Sequence, residues 1–334
     1  MKRLSVLLAL LVIASAFLLA ADAPLYKKTN EFPLAGEGGW DYLAWDADGN
    51  RLFIAHGTQF LVINTDNGQQ LGSVPANGAH GVAIATASGH GFSTNGRAGT
   101  VTAFDLKTLK PIQDIKAGDG PDAIIYDEHS QRVIVMNGHS KDLMVINPES
   151  FKVDATIPLG GKLEFAAADK GHVYVNVEDA GEIAVIDSKT WKATARWKLP
   201  DCEEPSGLAI DEKEHHLFSV CGNSKMMVLD TESGKVLATL PTGDGTDAAG
   251  FDPELHRAFA SNGAGTLTVV QAKGKDFSVA GNVETAKGAR TMALDPKTHR
   301  VFLVTADFGP KPEGEKRPPI KPGTFRLMVF SPAQ

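Results

Sequence analysis

The stretch GPDAIIYDEHSQRVIVMNG (residues 120–138) recurs along this 334-residue chain. Two clear copies are GTDAAGFDPELHRAFASNG (245–263) and GARTMALDPKTHRVFLVTA (288–306), and weaker copies begin at residues 40, 79, 162 and 205. One aligned position is polar in every copy, at intervals of 39 to 43 residues: Asp41, His80, Asp122, Glu164, Ser206, Asp247 and Arg290. A register held over seven copies indicates a repeat protein with units of about 42 residues.

Each copy contains four short runs of β-prone residues separated by turn residues. In the third copy these runs are DAIIYD, QRVIVMN, DLMVIN and KVDATIPL. Four strands in about 42 residues are typical of one propeller blade. The last copy has only three runs before Gln334, and YKKTNEFPL (26–34) can supply its fourth. The sequence therefore predicts an all-β, seven-bladed β-propeller with four antiparallel strands per blade, closed by the N-terminal strand in the last blade.

The chain is predicted to consist of a signal peptide and one propeller domain. Lys2 and Arg3 precede an apolar run over residues 4–20, and small residues follow, which is typical of a secretory signal. We predict a signal peptide over residues 1–21, with the cut between 21 and 23; an uncleaved membrane anchor is the alternative. The propeller then spans residues 24–334, with blades beginning near residues 40, 79, 120, 162, 204, 245 and 288 and a proline-rich loop at 307–324.

The composition and the missing motifs exclude several classes of protein. A chain with 43% hydrophobic and 22% charged residues is globular. The formal net charge of −7 disfavours nucleic acid as a partner, because an acidic surface repels phosphates. The absence of CxxCH, HExxH, GxSxG and Walker sequences disfavours covalent haem, zinc-helix proteases, elbow-type serine hydrolases and nucleotide chemistry. We expect a periplasmic or secreted monomer that does not stay inserted in a membrane after signal removal.

Three strand-turn-strand units carry a resemblance to a known family. They are NPESFKV (147–153), IDSKTWK (186–192) and LDTESGKV (229–236). Together with the repeated GPDAIIYD-type segments, they resemble the YVTN/YncE-like seven-bladed β-propeller family over residues 26–332. The resemblance implies the same fold. It implies little about activity, because many exported members of the family are known only as propellers of unknown role.

The seven aligned polar residues are predicted to meet at one end of the central channel. Each stands at the start of the innermost strand of its blade, and by analogy that end of a propeller usually carries the ligand site. We call this set the mouth ring: Asp41, His80, Asp122, Glu164, Ser206, Asp247 and Arg290. The residues that end the second strands should form an outer ring around it: His56, Asn95, Asn137, Asp179, Cys221, Asn262 and Thr305.

Three interpretations of the mouth ring stay open at this stage, because charged groups so close together are costly unless hydrated, paired or bound to a cation. One divalent metal, the only cofactor that we consider, would use a four-residue set: His56, His80, Asp122 and Glu164. A small polar ligand would instead place a carboxylate or phosphate on Arg290. In the third interpretation, the mouth holds only water and a pair of Arg290 with Asp247 or Asp41.

The two cysteines and the proline-rich loop also belong to this end of the molecule. Cys202 and Cys221 fall in one blade and are candidates for a disulfide, which an exported protein can form; free thiols are the alternative. The five prolines within residues 307–324 cannot all join a sheet. This loop is predicted to be extended, and it either caps the channel, docks a partner or is a tolerated insertion.

The function predicted from these features is binding. The chain is expected to hold a small polar ligand or an envelope protein partner at the channel mouth. An alternative is a metal-assisted hydrolase or lyase of the lactonase type, in which a carboxylate of the ring acts as general base. A further alternative is a scaffold for an envelope complex, which would use the blade rims and the proline-rich loop.

Overall fold

The computed structural model of the chain describes residues 25–315 and 317–333. The predicted signal peptide lies outside these described residues. Within them, 28 strands form seven separate four-stranded antiparallel sheets, as the repeat predicts. No helix in this part of the chain combines the length and the apolar character needed to cross a membrane.

The first four sheets follow the chain in order, each with its strands in sequence. Blade 1 has β2 (Trp40–Asp46), β3 (Arg51–His56), β4 (Gln59–Asn64) and β5 (Gln70–Pro75). Blade 2 has β6 (Ala79–Ala85), β7 (His90–Asn95), β8 (Thr100–Asp105) and β9 (Pro111–Lys116). Blade 3 has β10 (Pro121–Asp127), β11 (Arg132–Asn137), β12 (Asp142–Ile146) and β13 (Val153–Pro158). Blade 4 has β14 (Leu163–Asp169), β15 (His172–Val177), β16 (Glu182–Asp187) and β17 (Lys192–Lys198).

The last three sheets complete the ring. Blade 5 has β18 (Pro205–Asp211), β19 (His216–Cys221), β20 (Lys225–Asp230) and β21 (Val236–Pro241). Blade 6 has β22 (Thr246–Asp252), β23 (Arg257–Asn262), β24 (Thr266–Lys273) and β25 (Asp276–Glu284). Blade 7 combines β26 (Met292–Asp295), β27 (Arg300–Thr305) and β28 (Arg326–Pro332) with β1 (Tyr26–Pro33). Two single-turn 3₁₀ helices, Thr86–Ser88 and Glu178–Ala180, lie in connections.

The ring closes as the sequence predicts. Strand β1 pairs antiparallel with β28, from Tyr26 opposite Pro332 to Pro33 opposite Arg326. The innermost strands contact their neighbours all the way round, and the contact between β2 and β26 completes the circle. Seven strands therefore surround one central channel.

Short polar side chains end the strands at the tight turns. The carboxylate of Asp127 accepts the N–H groups of His129 and Ser130 at 3.0 and 3.2 Å. The side chain of Asn147 does the same for Glu149 and Ser150 at 2.9 and 3.0 Å. Such local bonds compete with strand propagation and favour a turn, so these repeated Asp and Asn residues are structural.

The apolar core lies between the blades, where the faces of neighbouring sheets pack together. Phe53 of blade 1 and Phe104 of blade 2, for example, have ring centroids 5.8 Å apart. Near the channel, glycines let the innermost strands approach one another: a Cβ at Gly207 would lie 2.7 Å from the carbonyl oxygen of Asp247. This close packing brings the first residues of neighbouring innermost strands within reach of each other.

Candidate functional site

The mouth ring forms at one end of the channel. Six of its members are the second residue of an innermost strand, in β2, β6, β10, β14, β18 and β22. Arg290 lies two residues before β26, which begins late at Met292. All seven side-chain positions are half-buried. The repeat therefore places chemically different side chains at equivalent positions around one opening.

On one side of the mouth, His80 lies between two carboxylates from the neighbouring blades. Its Nδ1 is 2.6 Å from Oδ2 of Asp41 and 3.2 Å from Oδ1 of Asp122. Hydrogen bonds to Asp122 and Asp41 raise the pKa of His80 to about 10, so without other cations the imidazole is protonated. Burial raises the pKa of Asp41. We call these three residues the Asp–His–Asp group.

Next to this group around the ring, Arg290 of blade 7 forms an ion pair with Asp247 of blade 6. Of the two partners that the sequence offered for Arg290, Asp247 and Asp41, the structure pairs it with Asp247. The hydroxyl of Ser206 donates to the backbone carbonyl of Asp247 at 2.8 Å, which ties blade 5 to blade 6 at the same level. Burial raises the pKa of Asp247 in spite of its arginine partner.

A tyrosine that the sequence analysis missed bridges the channel. The hydroxyl of Tyr42 in blade 1 donates to Oε1 of Glu164 in blade 4 at 3.2 Å, and its ring lies 5.4 Å from that of Phe165. Burial and the charge of Asp122 raise the pKa of Glu164 to about 8. A signal was present in the sequence, because the position after the mouth ring is aromatic in only two copies: Tyr42, Gly81, Ala123, Phe165, Gly207, Ala248 and Thr291.

The proline-rich loop 307–324 folds back on itself over the mouth. Phe308 and Ile320 form an antiparallel bridge, and Gly309 N–H donates to the Pro319 carbonyl at 2.8 Å. The ring of Phe308 packs at 6.1 Å from that of Trp40 and against Gly288, where a Cβ would lie 2.7 Å from it. These described parts of the loop are therefore packed against blades 1 and 7.

Beneath this loop lies a cavity of about 430 Å³ that we call the mouth pocket. Ring residues Asp247 and Arg290 line one wall, and Arg317 lies close enough to Asp247 to act on its pKa. Glycines, apolar side chains, one threonine and one glutamate complete the lining: Gly39, Trp40, Glu204, Gly222, Gly245, Thr246, Gly288, Phe308, Pro318 and Ile320. Two guanidinium groups and an aromatic wall thus share one partly enclosed space.

Comparisons with known proteins agree with this architecture. The uncharacterized protein YncE of Salmonella typhimurium (strain LT2) is 23% identical over 330 residues, which cover 89% of this chain and 90% of that protein. The uncharacterized protein YncE of Salmonella typhi matches to the same extent. The chain is a seven-bladed β-propeller that is similar to YncE over most of its length.

Two further comparisons concern family models and solved structures. No protein-family model matches the YncE-like chain. A solved structure described as "Structure of U3-55K" superposes with a TM-score of 0.76 at 10% identity and covers 90% of this chain and 98% of that one. This likeness shows the fold alone.

The structure does not bring His56 to the Asp–His–Asp group. Its side chain is 2% exposed, and its ring centroid lies 4.2 Å from that of Phe325, with the two rings tilted, between blades 7 and 1. Of the four predicted metal ligands, only His80 and Asp122 converge, and Asp41 is the third member of their group. Glu164 instead contacts Tyr42 and Lys162.

Most of the predicted outer ring is structural as well. Asn95, Asn137, Asn262 and Thr305 are buried, and the three asparagine side-chain amides donate to polar side chains on the next strand of their own blades. Buried residues that satisfy the backbone and neighbouring strands cannot line an opening. These four residues therefore stand at the ends of their second strands without exposing their side chains at the channel mouth.

Cys202 and Cys221 form a disulfide in the YncE-like chain, with Cα atoms 5.3 Å apart. The bridge fixes the segment that enters blade 5 to the end of β19. Glu204, in that segment, lines the mouth pocket. The disulfide therefore supports one edge of the pocket as well as the blade.

Proposed function

We propose that this chain is an exported binding protein that holds a small polar ligand in the mouth pocket. The observation that carries the proposal is the combination of Arg290 and Arg317 with the aromatic wall of Trp40 and Phe308 in one cavity of about 430 Å³. Pockets of this size suit small molecules, and a few polar groups in an otherwise apolar lining orient them. Guanidinium groups prefer carboxylates and phosphates.

The ligand class follows from these groups. Asp247 already pairs with Arg290, so Arg317 is the cation that we assign to an anionic group of the ligand. The rings of Trp40 and Phe308 offer an apolar surface in the same cavity. We therefore expect a small carboxylate or phosphate with a flat apolar part.

Export is the second part of the proposal. It is supported by the disulfide between Cys202 and Cys221, because such bonds persist in oxidising compartments. The signal-like sequence of residues 1–21 points the same way. A periplasmic or secreted location would place the mouth pocket where it meets small molecules from outside the cytoplasm.

The binding test uses substitutions in one loop. A panel of carboxylates and phosphates is screened by thermal shift, and hits are measured by calorimetry. Arg317→Ala should weaken the best hit by about 10- to 100-fold, because a hydrogen bond to a charged group contributes about 1.5–3 kcal/mol. Lys311→Ala is the control, since Lys311 lies on the same loop but lines a different cavity. A best hit unaffected by Arg317→Ala, or weakened equally by Lys311→Ala, would contradict the proposal.

The hydrolase or lyase alternative retains one supporting observation, which is the convergence of Asp41, His80 and Asp122 beside the mouth pocket. Catalysis would convert a bound ligand, whereas a binding protein would return it intact. Incubating each hit with the protein and measuring its mass after several hours separates the two. The scaffold alternative stays a prediction: an envelope protein partner that binds the native protein should be released when residues 308–322 are deleted.

A further inference from the structure

We infer that the Asp–His–Asp group is a binding site for one first-row divalent cation, such as Zn²⁺ or Mn²⁺. This site is separate from the mouth pocket: its residues come from blades 1 to 3, whereas the ring residues of the pocket, Asp247 and Arg290, come from blades 6 and 7. The inference does not depend on the proposed function. Of the metal ligands predicted from the sequence, it keeps His80 and Asp122, adds Asp41 and omits His56 and Glu164.

The first argument is geometric. One donor atom from each of the three side chains lies within 4.8 Å of the other two, and His80 Nδ1 is 2.6 and 3.2 Å from its two carboxylate oxygens. Ligands at Zn–N and Zn–O distances of about 2.0–2.2 Å stand about 3.3 Å apart in a tetrahedral site. A small outward rotation of the Asp41 carboxylate therefore opens the group to that geometry.

The second argument is a count of charges. Asp41 and Asp122 face the same imidazole nitrogen, which carries at most one proton, so the protonated group keeps a net charge of −1. The nearby Arg290 does not neutralise this charge, because it forms its ion pair with Asp247. A divalent cation bound to a neutral His80 brings the charge to zero, and its binding releases the Nδ1 proton to solvent.

The third argument concerns how the ligands are held. A Cβ at Gly96 would lie 2.6 Å from Nε2 of His80, so Gly96 leaves room for the ring in the orientation that aims Nδ1 at the carboxylates. Thr94 donates its hydroxyl to the backbone carbonyl of Asp122 at 2.6 Å and accepts the N–H of Gly81 at 2.8 Å. Such supporting contacts are what orient ligands at metal sites.

The donor set also selects the metal. One imidazole nitrogen and two carboxylate oxygens suit Zn²⁺ or Mn²⁺. Calcium prefers six to eight oxygen ligands, which three side chains do not supply. Because the side chains of Asp41, His80 and Asp122 are 25–35% exposed, the remaining coordination positions face the solvent of the channel mouth.

The test is calorimetric titration of the chelator-treated, tag-free mature protein with ZnCl₂, MnCl₂ and CaCl₂. We expect one Zn²⁺ or Mn²⁺ per chain and much weaker binding of Ca²⁺. His80→Ala and Asp122→Asn should each weaken binding by at least about 100-fold, because loss of mere supporting contacts costs about 10- to 100-fold. Circular dichroism checks the fold of each variant, and Asp122→Asn, which keeps the side-chain shape, decides if His80→Ala does not fold.

The matched control is His299→Ala at the opposite end of the propeller. His299 also lies beside two carboxylates, but each of its nitrogens faces only one, at 2.7 Å for Asp252 and 3.6 Å for Glu254. Binding should survive this substitution. No binding of Zn²⁺ or Mn²⁺ by the native protein, binding unchanged in Asp122→Asn, loss in His299→Ala, or Ca²⁺ binding as tight as Zn²⁺ would each overturn the inference.

Discussion

Reduction of the Cys202–Cys221 disulfide should lower the stability of the propeller by about 3 kcal/mol. The bond closes a loop of 20 residues, since the two cysteines are 19 positions apart. Chain-entropy arguments give a loss of about 11 cal/mol/K for the unfolded state of such a loop, or about 3 kcal/mol at 25 °C. The sulfur-bearing side chains are 7% and 0% exposed, so the reduced thiols stay in the core and packing is nearly unchanged.

The assay is urea unfolding, followed by tryptophan fluorescence, of protein refolded with and without reductant. At a denaturant slope of about 3 kcal/mol/M, the midpoint should fall by about 1 M. The double variant Cys202→Ala/Cys221→Ala is the control: it should start at the lower midpoint or below, because it also loses buried atoms, and it should not respond to reductant. A midpoint shift below about 0.3 M, or an equal response of the double variant, would refute the chain-entropy reasoning.

Two more predictions concern His56 of the predicted outer ring and Gly207, which follows Ser206 of the mouth ring. Burial lowers the pKa of His56 in the folded protein. Below about pH 6.5 the unfolded chain therefore binds a proton at this residue more readily than the folded chain does. The folded state consequently loses stability as the pH falls below this value, and His56 causes no loss above it. His56→Phe should flatten the decline of the thermal midpoint between pH 7 and 5, and an unchanged decline would contradict this account. Gly207→Ala should cost about 1–3 kcal/mol, because its Cβ meets backbone atoms of β22 at 2.5 Å, whereas Gly39→Ala, with nothing within 4 Å, should be neutral in the same melting experiment.

The fold was predictable because each repeat contains its own strand and turn signals. The polar column of the mouth ring is an example: a constant offset from the start of the innermost strand fixes both its level and its direction. Because this offset places Arg290 at the same level as Asp247 and Asp41, the sequence could limit its ion-pair partner to these two residues. Ring closure by β1 followed from a missing strand at one end and a surplus strand at the other.

The candidate site was less predictable, for reasons that are specific to each residue. His56 ends its strand at the expected level, but its side chain points between blades, because successive side chains of a strand alternate in direction. The fold of the proline-rich loop depends on Phe308 meeting Trp40, a contact between residues 268 positions apart in sequence. A local sequence pattern determines neither the side-chain direction at the end of a strand nor a contact between residues so far apart in the chain.

The pairing of β1 with β28 has a consequence for the order in which the chain is made. Of the strands that the structure describes, β1 is the first to be synthesised, and β28, which lies beside it, is the last. Until β28 is present, β1 and β27 both expose unpaired edges, which promote association between chains. A chain cut short before residue 326 cannot hide them and should be degraded, because proteases act on open states. Only a chain that includes β28 can complete the sheet of blade 7 and cover these edges.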